Sequence, residues 1–192
     1  TLAKSGRLRG ELSLWYHRFG NFIYLRPDGI AVTIRGSFPA YRYVQAPALL
    51  AGADLDMSWQ WARNWQVALR GAWLYAQQLD ADQPLIFMPP GWAEGELTCE
   101  PEGQRWHLSL GARRTARQRR YPEGQDLLPP PPGFTLIHLR GGARLPLARG
   151  SLVFSASAEN LAHVAYRSYL DRLRYFADAP GRNISLHLHY TF

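Results

Sequence analysis

The chain closes on Asn183-Ile184-Ser185-Leu186-His187-Leu188-His189-Tyr190-Thr191-Phe192. Ile184, Leu186, Leu188, Tyr190 and Phe192 alternate here with Asn183, Ser185, His187, His189 and Thr191. Successive side chains of a strand point to opposite faces, so this period of two reads as a strand with one apolar and one polar face. The same pattern recurs upstream. Leu152, Phe154, Ala156 and Ala158 alternate with Val153, Ser155, Ser157 and Glu159, and Trp106, Leu108, Leu110 and Ala112 with His107, Ser109, Gly111 and Arg113. Leu55, Met57 and Trp59 alternate with Asp56, Ser58 and Gln60, and Val67, Leu69, Gly71 and Trp73 with Ala68, Arg70 and Ala72. Eight strands are expected, over 8–25, 41–62, 65–78, 92–100, 105–119, 134–145, 150–159 and 182–192, with Thr1–Ser5 ending the strand before them.

The links between these strands carry a second pattern. Short turns (Gly6–Gly10, Ala62–Asn64, Pro101–Arg105, Pro146–Arg149) alternate with long links over 26–40, 79–91, 120–133 and 160–181. A soluble sandwich has no reason to gather its long loops at one end, whereas a transmembrane β-barrel keeps tight turns on the periplasmic side and long loops outside. The strands also reach the roughly 9–11 residues that a tilted membrane strand needs. Trp59, Trp61, Trp65, Trp106, Tyr190 and Phe192 cluster near short turns or the end of the chain, where amphipathic rings meet lipid headgroups, and Trp73 and Tyr75 fit the opposite girdle. The expected fold is therefore all-β, an antiparallel transmembrane β-barrel meander.

Turn parity constrains the register, because a slip of one residue exchanges the faces. Around Ala62–Asn64 the apolar set is odd-numbered on both sides, which sets Asp56 opposite Arg70. Around 101–104 the parity changes, which pairs Leu97 with Leu108 and Cys99 with Trp106; the turn 146–149 pairs Ala143 with Leu152.

Composition narrows the classes. At 192 residues the chain is one domain or part of a larger one. The single cysteine, Cys99, excludes a disulfide framework, and no apolar run is long enough for a transmembrane helix. Fourteen prolines and 17 glycines argue against a helix bundle. Lys+Arg exceed Asp+Glu by 22 to 15, and every basic residue except Lys4 is an arginine. The dense run Arg113, Arg114, Arg117, Arg119 and Arg120 reads as solvated charge or a contact for lipopolysaccharide phosphates rather than for nucleic acid.

Towards the end the residues become specific. Ala158-Glu159-Asn160-Leu161, Tyr166-Arg167-Ser168-Tyr169-Leu170, Arg174-Tyr175-Phe176-Ala177-Asp178 and Pro180-Gly181-Arg182-Asn183, closing on Leu188-His189-Tyr190-Thr191-Phe192, resemble the C-terminus of TonB-dependent outer-membrane receptors. Phe19 to Tyr24, Tyr41 to Asp54 (with Asp54 for the usual Glu) and Pro84 to Pro90 resemble further segments of that family. The resemblance implies a 22-stranded barrel of which residues 1–192 supply about the last eight strands, the plug domain and energy-coupling box being absent from this stretch. It implies import of a scarce nutrient, a ferric siderophore, haem or cobalamin, across the outer membrane of a Gram-negative bacterium. The implied partners are outer-membrane lipid and lipopolysaccharide, the protein's own plug, TonB, the barrel-assembly machinery and the small nutrient ligand.

On that resemblance Tyr24, Arg26, Tyr43, Phe87 and Tyr121 are expected to meet ligand in the outer loops. Asp54, Asp56, Arg70, Glu94 and Glu96 are expected to face the lumen and plug, and Tyr190 and Phe192 to form the assembly signal. No catalytic motif is present; Glu94 and Glu96 share a strand face as acid and base could, and a polar barrel lining accounts for them better. His187 and His189 could ligate metal but lack a third ligand nearby in sequence, so neither metal nor cofactor is expected. Pro129–Pro132 reads as a stiff loop, and Pro180-Gly181-Arg182 as a turn with Arg182 facing headgroups or a neighbouring strand. Two alternatives remain open here: a self-contained eight-stranded outer-membrane barrel, and an inactive soluble β-sheet fragment.

Overall fold

The computed structural model describes residues 2–5, 7–103 and 105–192, so Thr1 of the expected first segment and Gly6 and Gln104 of two expected turns lie outside the described residues. The strands are β1 (Leu2–Ser5), β2 (Leu8–Thr33), β3 (Gly36–Ala62), β4 (Trp65–Gln78), β5 (Gln83–Pro84), β6 (Trp92–Cys99), β7 (Trp106–Thr115), β8 (Phe134–Leu147), β9 (Gly150–Glu159) and β10 (Asn183–Thr191). All pairs are antiparallel and follow chain order, with the two-residue β5 an appendage of β4. The result is a single meander sheet, all-β as the alternation requires. β1 and β10 are its edges and do not pair with each other among the described residues.

Directly paired residues share a face, so the register sorts every side chain. One row runs Leu8–Trp59–Val67–Leu97–Leu110–Leu139–Ala158–Ile184, and the next begins Gly10–Met57–Leu69–Gly95–Ala112–Ile137. Between them lies Arg9–Ser58–Ala68–Glu96–Gly111–His138 on the opposite face. Asp56 pairs with Arg70 as expected, and their side chains meet at 3.3 Å. The apolar face stays open: Leu69, Leu108, Leu110, Ile184, Leu186 and Leu188 are all exposed.

Four expectations need correction. The link expected over 26–40 is strand: β2 and β3 run on as a long hairpin to a turn at Ile34–Arg35. Pro27-Asp28-Gly29 looks like a turn but forms a bulge, with Gly29 at φ +81, after which Ile30 to Thr33 resume pairing. The β6–β7 register is offset by two from the expected one, Leu97 pairing with Leu110 and Cys99 with Leu108. The β8–β9 register is also offset by two, because the turn is only Ala148–Arg149, with Gly150 at φ +104. Parity, and hence every face, survives both offsets. Finally, β7 ends at Thr115, short of the expected Arg119: one more in-register bond follows, from the Ala116 N–H to the Gly91 carbonyl, and Gln118 then folds inward to donate to the Met88 carbonyl at 2.9 Å.

The buried core forms at the long-link end of the polar face. Ala46, Ala48 and Ala76 give the sheet a low floor there, and the 79–91 link lays Leu85 and Ile86 onto it, each 1% exposed, beside Tyr24. The Leu85 N–H donates to the Ala76 carbonyl at 3.2 Å. Each of the two aliphatic side chains contributes roughly 1.5–3 kcal/mol by burial, enough to hold the link down.

Candidate functional site

The polar face carries a belt of charge. Asp56, Arg70, Glu94 and Arg113 follow one another in a single row across β3, β4, β6 and β7. Asp54 accepts a hydrogen bond from Trp15 Nε1 at 2.9 Å. Arg113 lies 3.7 Å from Glu94 while its guanidinium stacks 3.9 Å above the centre of the Trp92 ring. Glu96 meets His138 at 3.3 Å and Arg140 at 3.5 Å, and Arg140 binds Glu159 more closely, at 2.9 Å. All five residues expected to face the lumen therefore stand on one face of the sheet. His138, Arg113, Arg140 and Glu159 complete their network and were not among the expected site residues.

Along β2 the same face carries a ladder of rings, Trp15, His17, Phe19, Phe22 and Tyr24, with successive centroids 5.4–6.5 Å apart. Odd and even residues share it because of a second bulge: Phe19 pairs with Ala48 and Phe22 with Ala46, so Gly20 and Asn21 oppose Pro47 alone. Trp15 lies flat over Gly52, where a Cβ would come within 2.3 Å of its ring. The sequence signal was the change of parity at Phe19-Gly20-Asn21-Phe22.

At the long-link end three links fuse into a cap. Arg174, 3% exposed, forms a buried ion pair with Asp126 and donates to the Pro129 carbonyl at 3.2 Å. Tyr175 donates to the other Asp126 oxygen at 2.5 Å. Burial, then the hydrogen bond to Asp126, raises the Tyr175 phenol well above its ordinary range, and burial also raises Tyr169. Tyr169 packs on Phe87, whose backbone N–H points at the Tyr169 hydroxyl at 3.4 Å. Several of the residues between Asn160 and Arg182 that carry the resemblance help to fold this cap. Asn160, in the left-handed region at φ +52, clasps the Val164 backbone through both ends of its amide. Tyr166 packs on Phe134 at 4.4 Å, and Arg167 holds Asp178 at 2.5 Å and the Arg174 carbonyl at 2.8 Å. Arg182 donates to the Leu161 carbonyl at 3.1 Å and so braces the link.

The five expected ligand contacts are only partly gathered. Arg26 lines a cavity of about 330 Å³ with Pro27, Gly29 and residues 124–127. Tyr121 lines an adjoining one of about 240 Å³ that shares Gly124 and Asp126. Phe87 is half-buried between Tyr41 and Tyr169. Tyr24 is buried, its hydroxyl donating to Gln78 at 2.9 Å, and serves the core. Tyr43 pairs with Leu25 and stands exposed on the opposite face from Tyr24. The basic run is held piecemeal: Arg120 sits 4.0 Å above the Tyr75 ring and donates to Gln77, and Arg114 donates to Thr135. At the edge strand Tyr190 donates to the Arg149 carbonyl at 2.6 Å, and Phe192 is 99% exposed.

No protein-family model matches the chain, and no curated protein matches it. Among solved structures it is similar to one described as the copper transporter OprC, with a TM-score of 0.81 and 23% sequence identity. The match covers 98% of this chain and 29% of that one. The fold is a segment of β-barrel wall. At that identity the likeness carries the fold alone, and the chain spans less than a third of the transporter's length.

Proposed function

We propose that this chain is the C-terminal part of the barrel of a TonB-dependent outer-membrane receptor, and that the whole protein imports a scarce nutrient across the outer membrane of a Gram-negative bacterium. One observation carries the reading: a continuous meander whose apolar face is left open along its whole width while the other face is charged. A water-soluble monomer rarely leaves apolar patches of that extent uncovered, whereas lipid is the solvent they suit. The closed eight-stranded alternative fits less well, since among the described residues β1 and β10 do not pair. The soluble-fragment alternative leaves the exposed leucine rows without a partner.

In this reading the charged belt of Asp54, Asp56, Arg70, Glu94 and Glu96 faces the plug, and the cap presents Arg26, Phe87 and Tyr121 to the incoming ligand. Energy comes through the plug and TonB, not through this wall. Ferric siderophore, haem and cobalamin are the cargo classes the family resemblance offers, and the likeness to a copper transporter adds a metal ion to them. The chemistry asked of the wall is recognition and passage; no residue is assigned to catalysis. The test is single-cysteine labelling of the intact protein in membranes, with Cys99 replaced. A lipid-soluble reagent should modify cysteines at Leu55, Leu69, Leu110 and Leu186 and spare those at Asp56, Arg70, Ser109 and His187. Equal labelling of the two sets refutes the barrel.

A further inference from the structure

Glu96 on β6 and His138 on β8 are separated by a whole strand, yet their side chains touch. The residue between them in the row is Gly111, and a Cβ there would lie 2.1 Å from His138 Nε2. The bare backbone of β7 is the saddle over which the imidazole lies, 4% exposed, to reach the carboxylate. Glu94, two residues along the same face of β6, completes a triad whose ligand atoms all lie within 4.8 Å of one another.

Among the described residues neither glutamate has a basic partner closer than 3.3 Å. The Glu94 and Glu96 side chains are only 13% and 16% exposed. Arg113 is committed to the Trp92 ring and stays 3.7 Å from Glu94, beyond hydrogen-bonding distance. Arg140 gives two of its donors to Glu159, at 2.9 and 3.2 Å, and meets Glu96 only at 3.5 Å. Along these rows four carboxylates (Asp56, Glu94, Glu96 and Glu159) share three guanidiniums (Arg70, Arg113 and Arg140), an excess of one negative charge beside His138; at the two largely desolvated glutamates that charge is costly unless a cation meets it.

We propose that Glu94, Glu96 and His138 form a site for a divalent transition-metal ion of the Zn²⁺ or Cu²⁺ class on the polar wall of the sheet. The 3.3 Å between His138 Nε2 and Glu96 Oε2 is close to the edge of a tetrahedron with bonds of about 2.0–2.1 Å. A small rotation of Glu94 supplies the third ligand, and the fourth position opens to water or a passing ligand. Imidazole with two carboxylates selects such an ion over Ca²⁺ or Mg²⁺, which take oxygen alone, and over Cu⁺, which needs sulfur. The proposal stands on the sheet geometry and is independent of the transport reading.

The test uses the intact protein in detergent, stripped by a chelator and titrated with Zn²⁺ by equilibrium dialysis, with Cu²⁺ paramagnetic resonance as a second readout. One equivalent of Zn²⁺ should bind, and Glu94→Gln, Glu96→Gln and His138→Gln should each weaken it at least tenfold. Gly111→Ala, which removes no ligand but displaces the ring, should do the same. The Cu²⁺ spectrum should show coupling to one nitrogen, lost in His138→Gln. Replacing both His187 and His189, which lie outside the triad, should leave the equivalent in place. Unchanged affinity in Glu94→Gln, a near-isosteric change that spares the strand contact, overturns the proposal even where His138→Gln fails to assemble. Loss of the equivalent only with His187 and His189 overturns it too.

Discussion

Replacing Arg174 by methionine tests whether the three long links act as one unit. Arg174 and Asp126 are both almost wholly buried, and the guanidinium also donates to the Pro129 carbonyl. Removing it leaves a carboxylate in a dry place, with the Tyr175 hydroxyl and the Leu127 N–H still on Oδ1 but no cation facing Oδ2. Breaking one side of a buried ion pair costs about 3–5 kcal/mol, because the remaining charge is uncompensated. That cost falls on the cap and not on the strand ladders, which make none of these contacts. Hydrogen exchange resolves the two. The Phe176 and Ala177 amides, both bonded to the Leu173 carbonyl, and the Ala179 amide, bonded to Tyr166, should lose about two to three and a half orders of magnitude of protection. The β4 and β8 amides should keep theirs. Adding Asp126→Asn removes the stranded charge while leaving Tyr175 an acceptor, so the double variant should recover most of the loss. Cap protection that is unchanged in Arg174→Met, or a double variant as labile as the single one, refutes the reasoning.

Two further outcomes follow from the same physics. The Tyr175 phenol is raised above its usual 10.0, so its contribution to cap stability is intact below about pH 10 and is lost as the pH rises through the higher folded value; titrating tyrosinate absorbance should show late-ionising groups, one fewer in Tyr175→Phe. Deleting Phe192, an exposed ring at the chain end, should lower stability by no more than about 1.5–3 kcal/mol while sharply reducing the yield of protein assembled in the outer membrane; equal yields would make the last strand mere wall.

What the sequence could tell, and where it fell short, divides along one line. A period of two fixes which side of a sheet a residue occupies, and it does so from local sequence alone. That is why the apolar and charged faces were legible, along with Asp56 opposite Arg70. A period of two cannot distinguish registers that differ by two residues, since both keep every face. The β6–β7 register read from the sequence sets Glu96 opposite Ser109, whereas the folded sheet sets it opposite Gly111, and only the second opens a path to His138. Bulges are the other blind spot. Gly20–Asn21 and Asp28–Gly29 each change the parity of β2 in mid-strand, which hid the ring ladder in one case and turned strand into supposed loop in the other.

The cap was legible in a different sense. Its residues were recognised as a pattern, and the pattern said nothing about what they do. In the folded chain most of them touch one another: Asn160 clasps Val164, Arg167 holds Asp178, Arg174 enters the Asp126 pocket and Arg182 reaches Leu161. These are pairings across tens of residues or within an irregular link, where no period exists to read. Such contacts specify a shape over one end of the wall. On the receptor reading proposed above, ligand choice falls to the residues these contacts leave free. In this chain those are the exposed tip of the β2–β3 hairpin and the lining of the two cavities that share Gly124 and Asp126, with Arg26 on one side and Tyr121 on the other.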